Sequence, residues 1–154
     1  MRIIIGLFSL LILVLSCGDT REDGPSEIYY GEDICERCKM IISEKEFASQ
    51  YRLSDGKNVK FDDIGCMIHF KDGEKPEHIE SIYVMDYDSG EWIDAESGYF
   101  VWTENVNTPM GYGILSFNDK KIAQEVAARE NGKYLGKLSA ASELLKKNSK
   151  NKSD

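Results

Sequence analysis

Residues 61–73 read FDDIGCMIHFKDG, and residues 117–132 read FNDKKIAQEVAARENG. Each segment opens on a phenylalanine and a polar pair that suits a helix start. In the first, Asp62 or Asp63 caps, Ile64, Met67 and Ile68 share one face, and Asp72-Gly73 stops the helix. In the second, Asn118 caps, Ile122, Ala123, Val126 and Ala127 form the apolar stripe, and Asn131-Gly132 ends it. The echo of Phe61-Asp62-Asp63 in Phe117-Asn118-Asp119 predicts a unit that occurs twice.

The flanks of both helices support that reading. Ahead of the first, FASQYRL (47–53) alternates as a strand does, SDGK (54–57) supplies an Asp-Gly turn, and NVKF (58–61) returns. Beyond it, after the Pro76 loop, SIYVMDY (81–87) is a nearly continuous apolar strand. The second helix is preceded by the strands GYFVW (98–102) and GYGILSF (111–117) and followed by KYLGKL (133–138). The predicted fold is therefore α+β, two similar ββαβ units packed together after an N-terminal lipoprotein signal and linker. The expected divisions are residues 1–16 for the signal, 17–31 for the lipidated linker, 32–90 for the first unit, 91–137 for the second, and 138–154 for a short helix and polar tail. Units of about fifty residues bury little surface alone, so the two are expected to share a core, aided by Trp92 and Ile93 in the connector. The last helix, around Ser139 to Lys147, is expected to dock through Leu138, Ala141 and Leu145, with KKNSKNKSD beyond it polar and frayed.

Compartment is read from the other end of the chain. Met1-Arg2 precedes IIIGLFSLLILVL (3–15), an apolar run too short to span a bilayer and long enough for a secretory signal. It ends in Val14-Leu15-Ser16-Cys17, the pattern of a bacterial lipobox in which Cys17 is acylated. The polar stretch GDTREDGPSE then suits a tether from a lipid to a folded domain. Gly18 after Cys17 favours the outer membrane, facing the periplasm. Removing residues 1–16 takes away Arg2 and no acid, which leaves 18 basic and 27 acidic side chains, net −9. Such a balance argues against nucleic-acid partners.

With Cys17 assigned to the lipid, Cys35, Cys38 and Cys66 remain, an odd number in an oxidising compartment. In EDICERCKMII (32–42) two cysteines stand three apart and Met40 follows. Two thiolates and a thioether are a soft set that selects Cu(I), an ion content with two or three ligands. Zn(II) would want a fourth ligand, and neither His69 nor His78 is spaced to supply it. A CxxC thiol oxidoreductase is one alternative, although the pair here precedes a strand and does not open a long helix, and a purely structural pair with Met40 as core is another. Cys66, among Ile64, Met67, Ile68 and Phe70, reads as a packed, unreactive thiol, and Asp62 and Asp63 read as caps. Met110, in TPMGYG, reads either as a cover for the copper from the second half or as ordinary packing. No catalytic arrangement is apparent, so an enzyme is not expected.

The lipobox, CERCKM, FDDIGCMIHF, VMDYDSGEWIDAESGYFV and TPMGYGILSF, in this order, resemble the NosL family over about residues 33–135. The resemblance implies a lipoprotein of two similar ββαβ domains that binds Cu(I) and serves the maturation of nitrous oxide reductase. It implies Cys35, Cys38 and Met40 as the metal motif, and draws attention to Met110 without giving it a role. It further implies nitrous oxide reductase and an ABC-type assembly complex as partners. The lysine-rich tail after residue 145 is not explained by the resemblance.

Overall fold

The computed structural model describes residues 24–74 and 78–151. The signal segment and Cys17 lie outside the described residues. After a 3-10 turn at Lys45–Phe47, the chain runs through β1 (Ser49–Leu53), β2 (Asn58–Phe61), α1 (Ile64–Glu74) and β3 (Ile79–Met85). Then come β4 (Trp92–Asp94), β5 (Tyr99–Trp102), β6 (Ile114–Phe117), α2 (Lys120–Arg129), β7 (Lys133–Gly136) and α3 (Leu138–Asn151).

The duplication is visible in the topology. One antiparallel sheet has the order β2-β1-β3-β4 and the other β6-β5-β7. In both, the first strand of the unit is central, the second lies on one side, and the strand after the helix lies on the other. The extra strand, β4, pairs Tyr83 with Asp94 and Met85 with Trp92, so residues 92–94 belong to the first sheet and not to the second unit.

Several boundaries differ from the sequence reading for physical reasons. Asp119, not Asn118, caps α2, because its carboxylate accepts from the N–H groups of Lys121 and Ile122. α3 continues to Asn151, through lysines assigned to a frayed tail. Straight-chain lysine side chains cost a helix little, and Lys146 pairs with Asp72 on α1 at 3.0 Å. The linker also ends earlier than residue 31. Ile28 is buried, and the N–H and hydroxyl of Ser26 both donate to Gln50 Oε1 at 3.0 Å. Gln50 is consequently buried, and with Ser49, Tyr51 and Arg52 buried as well, β1 is covered on both faces where simple alternation predicts one.

The units share their interior. Phe100 and Ile114 of the second sheet and Ala141 and Leu145 of α3 join Tyr51, Phe61, Ile64 and Met67 in one apolar cluster. Phe47 of the first unit completes the other cluster, under α2. Polar bonds also cross the junction: the Ser116 hydroxyl donates to Met85 O at 2.6 Å, and the Tyr87 N–H donates to Ser116 O at 2.8 Å. α1 is aimed by the rings beneath it. Phe61 packs edge-on to Tyr51 at 5.2 Å and against Phe70 at 5.3 Å, while the Tyr51 hydroxyl donates to Met67 O at 2.6 Å. This fixes the first turn of α1, and with it Cys66.

Candidate metal centre

The CxxC segment forms a tight, closed knuckle. Ile34 and Ile41 pair across it, the Cys35 N–H donates to Met40 O at 2.8 Å, and the Lys39 N–H donates to Cys35 O at 3.0 Å. Lys39 takes φ 61° to make the turn. The Glu36 N–H donates to Lys60 O on β2 at 2.9 Å, and Lys60 Nζ reaches Asp33 Oδ2 at 2.7 Å. The knuckle is thus bolted to the first sheet, over the corner where β2 passes into α1.

That corner supplies two more donors. Single ligand atoms of Cys35, Cys38, Asp62 and Cys66 all lie within 4.8 Å of one another. Cys35 and Cys66 are fully buried, Asp62 nearly so, and Cys38 is half-buried. Two expectations are narrowed here. Cys66 is packed in the shared apolar cluster, as expected, but the face of α1 that carries it also turns toward the knuckle, and its sulfur meets the other two. Asp62 is not the cap, since Cys38 Sγ donates to its Oδ2 at 3.3 Å. Capping falls to Asp63, whose Oδ1 accepts from the Gly65 N–H at 2.7 Å. The sequence signal for the four-member cluster was the spacing of Asp62 and Cys66, one helical turn apart at a helix start.

Protonation differs sharply among the three thiols. A hydrogen bond from Cys66 holds Cys35 down to about 6 against the cost of its burial, with backbone N–H groups of Cys38 and Asp62 assisting. Cys66, as the donor in that bond and as a buried group, is pushed far up. Burial foremost pushes Cys38 up to about 11, with the thiolate and carboxylate beside it adding to the effect. Without metal, the site is one thiolate supported by two thiols and a carboxylate. Asp62 Oδ1 is buried and has no hydrogen-bond partner among the described residues. A buried acceptor of that kind, facing sulfur, suits a cation.

The second unit closes the site from the side. Asp63 Oδ2 accepts from the Thr108 hydroxyl at 2.7 Å and from the Met110 N–H at 3.1 Å, which holds the TPMG loop against the corner. Met110 packs on the shared apolar cluster. Tyr112 covers the first turn of α1 so closely that a Cβ on Gly65 would fall 2.1 Å from its ring. Arg37, between the two knuckle cysteines, donates to the Tyr112 hydroxyl at 2.8 Å and lies 4.0 Å from Cys66 Sγ. Met40 stands apart in character from the three cysteines, with 54% of its surface exposed.

Three sulfurs and one oxygen at this spacing can hold a single soft metal ion. The same arrangement is poorly suited to thiol exchange, since Cys35, the most ionised sulfur, has no exposed surface for a substrate to reach.

The family model described as NosL matches residues 28–144. Among solved structures, the crystal structure of the copper chaperone NosL from Shewanella denitrificans is similar in fold, with a TM-score of 0.61. The two chains are 22% identical, and the match covers 71% of this chain and 90% of that one. No curated protein matches the chain significantly.

Proposed function

The chain belongs to the NosL family, and on that premise we propose that it is a carrier of monovalent copper and not an enzyme. The observation that carries the reading is the cluster of Cys35, Cys38, Cys66 and Asp62 within 4.8 Å. Three sulfurs favour Cu(I) over oxygen-preferring cations, and a trigonal set leaves one direction open for an incoming ligand. Cys35 is the anchor, already ionised near neutral pH. Cys38 and Cys66 lose their protons as copper arrives. The direction that the trigonal set leaves open is assigned to a weak, exchangeable thioether, Met40 on the exposed side or Met110 on the second-unit side.

The finer reading follows the sequence. Cys17 carries a lipid that tethers the domain to the membrane on the periplasmic side, the outer membrane being favoured. The recipient is nitrous oxide reductase, reached together with an ABC-type assembly complex. The solved relative's description as a copper chaperone supports the cargo and leaves the recipient to the family resemblance.

Asp62 favours a second reading, Zn(II) storage, because three sulfurs and one oxygen would complete a tetrahedron. Oxygen-free competition between Cu(I) and Zn(II), at matched free-metal levels set by chelators, separates the two. The carrier reading expects one Cu(I) per chain, retained in excess zinc and lost in Cys35→Ser. Zinc displacing copper from reduced protein would overturn it.

A further inference from the structure

The exposed large apolar side chains among the described residues are Tyr29, Tyr30, Ile34, Met40 and Ile41, at 37% to 57% exposure. All five lie in the short segment that carries Cys35 and Cys38. We propose that this collar is the docking face for the protein that takes the metal, and that the recipient presents an apolar centre ringed by basic side chains. The inference rests on the copper-carrier reading and adds to it the surface through which transfer occurs.

Position supports the assignment. Cys38 is the partly accessible thiol of the cluster, and Met40 lies two residues beyond it, within the collar. A recipient seated there meets the sulfur end of the site directly and excludes bulk water from the exchange. The collar is also pre-formed. The Ile34–Ile41 bridge and the bonds from the Gly31 N–H to Ile42 O and from the Ile42 N–H to Asp33 O, both 2.8 Å, fix the segment before any partner arrives. Little ordering is then required on contact.

Charge selects the class of occupant. Glu32 is exposed within the segment, Glu46 lies close enough to Tyr30 to act on its hydroxyl, and the exposed cation Arg37 is turned onto the Tyr112 hydroxyl. Asp33 is matched by Lys60, and Lys39 by Glu36. The mature chain carries net −9. A second copy would bring the same acidic rim face to face with itself, and an anionic lipid surface would be repelled. Five exposed apolar side chains in one short segment make a small surface, and the largest apolar patch on a monomer is often functional. A stable dimer needs about 800 Å² per partner. The patch suits brief contact and release.

The test compares two ways of removing copper from the full mature chain. Apo nitrous oxide reductase with its ABC-type assembly complex, the recipient system proposed above, is the protein probe, and a small soluble Cu(I) chelator is the probe that needs no docking. Ile34→Ser/Ile41→Ser is expected to slow transfer to the protein at least tenfold while leaving copper stoichiometry, affinity and chelator extraction unchanged. Glu32→Lys, which leaves the apolar collar intact, is expected to slow the same transfer and to weaken its dependence on salt. Unchanged transfer in both variants overturns the proposal, as does equal slowing toward protein and chelator, which marks a distorted site. Wild-type dimerisation lost in the double variant, or collar-dependent retention on phosphatidylglycerol vesicles, overturns it in favour of a second copy or a membrane. If wild-type protein takes up no copper, the carrier reading itself fails, an outcome visible before any transfer is measured.

Discussion

Asp63 Oδ2 lies 2.7 Å from the Thr108 hydroxyl and 3.1 Å from the Met110 N–H, so one buried carboxylate ties the second unit's loop to the helix that carries Cys66. The same side chain caps that helix through Gly65. Unit packing and site geometry therefore share a residue that is not itself among the clustered donors.

Asp63→Ala should consequently be costly. It strands three donors and removes a cap, for a loss of about 2–4 kcal/mol in chemical denaturation. Thr108→Val should lose less, about 1–2 kcal/mol, since the carboxylate keeps its two N–H partners and only the Gly113 N–H, which donates to the Thr108 hydroxyl at 3.2 Å, is stranded. A Thr108→Val variant as damaged as Asp63→Ala would show that the two bonds are not separable in this way.

Cys66→Ser should weaken Cu(I) binding by more than tenfold, whereas Met40→Ala should change it by less than tenfold. The difference follows from place: Cys66 Sγ is inside the cluster, while Met40 is 54% exposed. Competition against a Cu(I) chelator under anaerobic conditions measures both. The reverse order would restore Met40 to equal rank with the cysteines.

Binding should strengthen as pH rises. Cys38 is pushed up to about 11 and Cys66 is also raised, so near neutral pH both hold protons that the metal must displace. Cys35, held down to about 6, adds a further proton only in more acidic solution. Apparent affinity should thus climb with pH between about 6 and 9, and fall more steeply below about 6. Proton release on loading, followed with an indicator dye in weak buffer, checks the same point. A flat profile from pH 6 to 9 would mean that Cys38 and Cys66 keep their protons.

Gly65→Val should disturb the site without touching a donor. The new side chain would occupy the position of the Tyr112 ring, displacing it and its bond to Arg37. Expected are a loss of about 1–3 kcal/mol in stability and increased reactivity of Cys66 toward a thiol reagent in the apo protein. Unchanged Cys66 labelling would show that Tyr112 does not shield it.

Much of this architecture was legible in the sequence because it rests on local signals. Alternation, the Asp-Gly turn and the repeated Phe-polar-polar helix start marked both ββαβ units. The pairing of β4 with β3 was not legible, since a strand of three residues in a turn-rich connector has little pattern of its own. The site was half visible. Spacing marked Cys35 and Cys38, but the apolar neighbours of Cys66 in sequence concealed the side of the helix its sulfur occupies. Asp62 and Asp63 look alike in sequence, and only tertiary packing gives one to the thiols and the other to Thr108 and Gly65.

The most direct test of the three-sulfur centre is the copper K-edge absorption spectrum of anaerobically loaded protein, compared between wild type and Cys66→Ser. The account predicts monovalent copper in a shell dominated by sulfur, with one sulfur lost in the variant. A shell that is unchanged by Cys66→Ser, or one built mainly of nitrogen and oxygen, would contradict it.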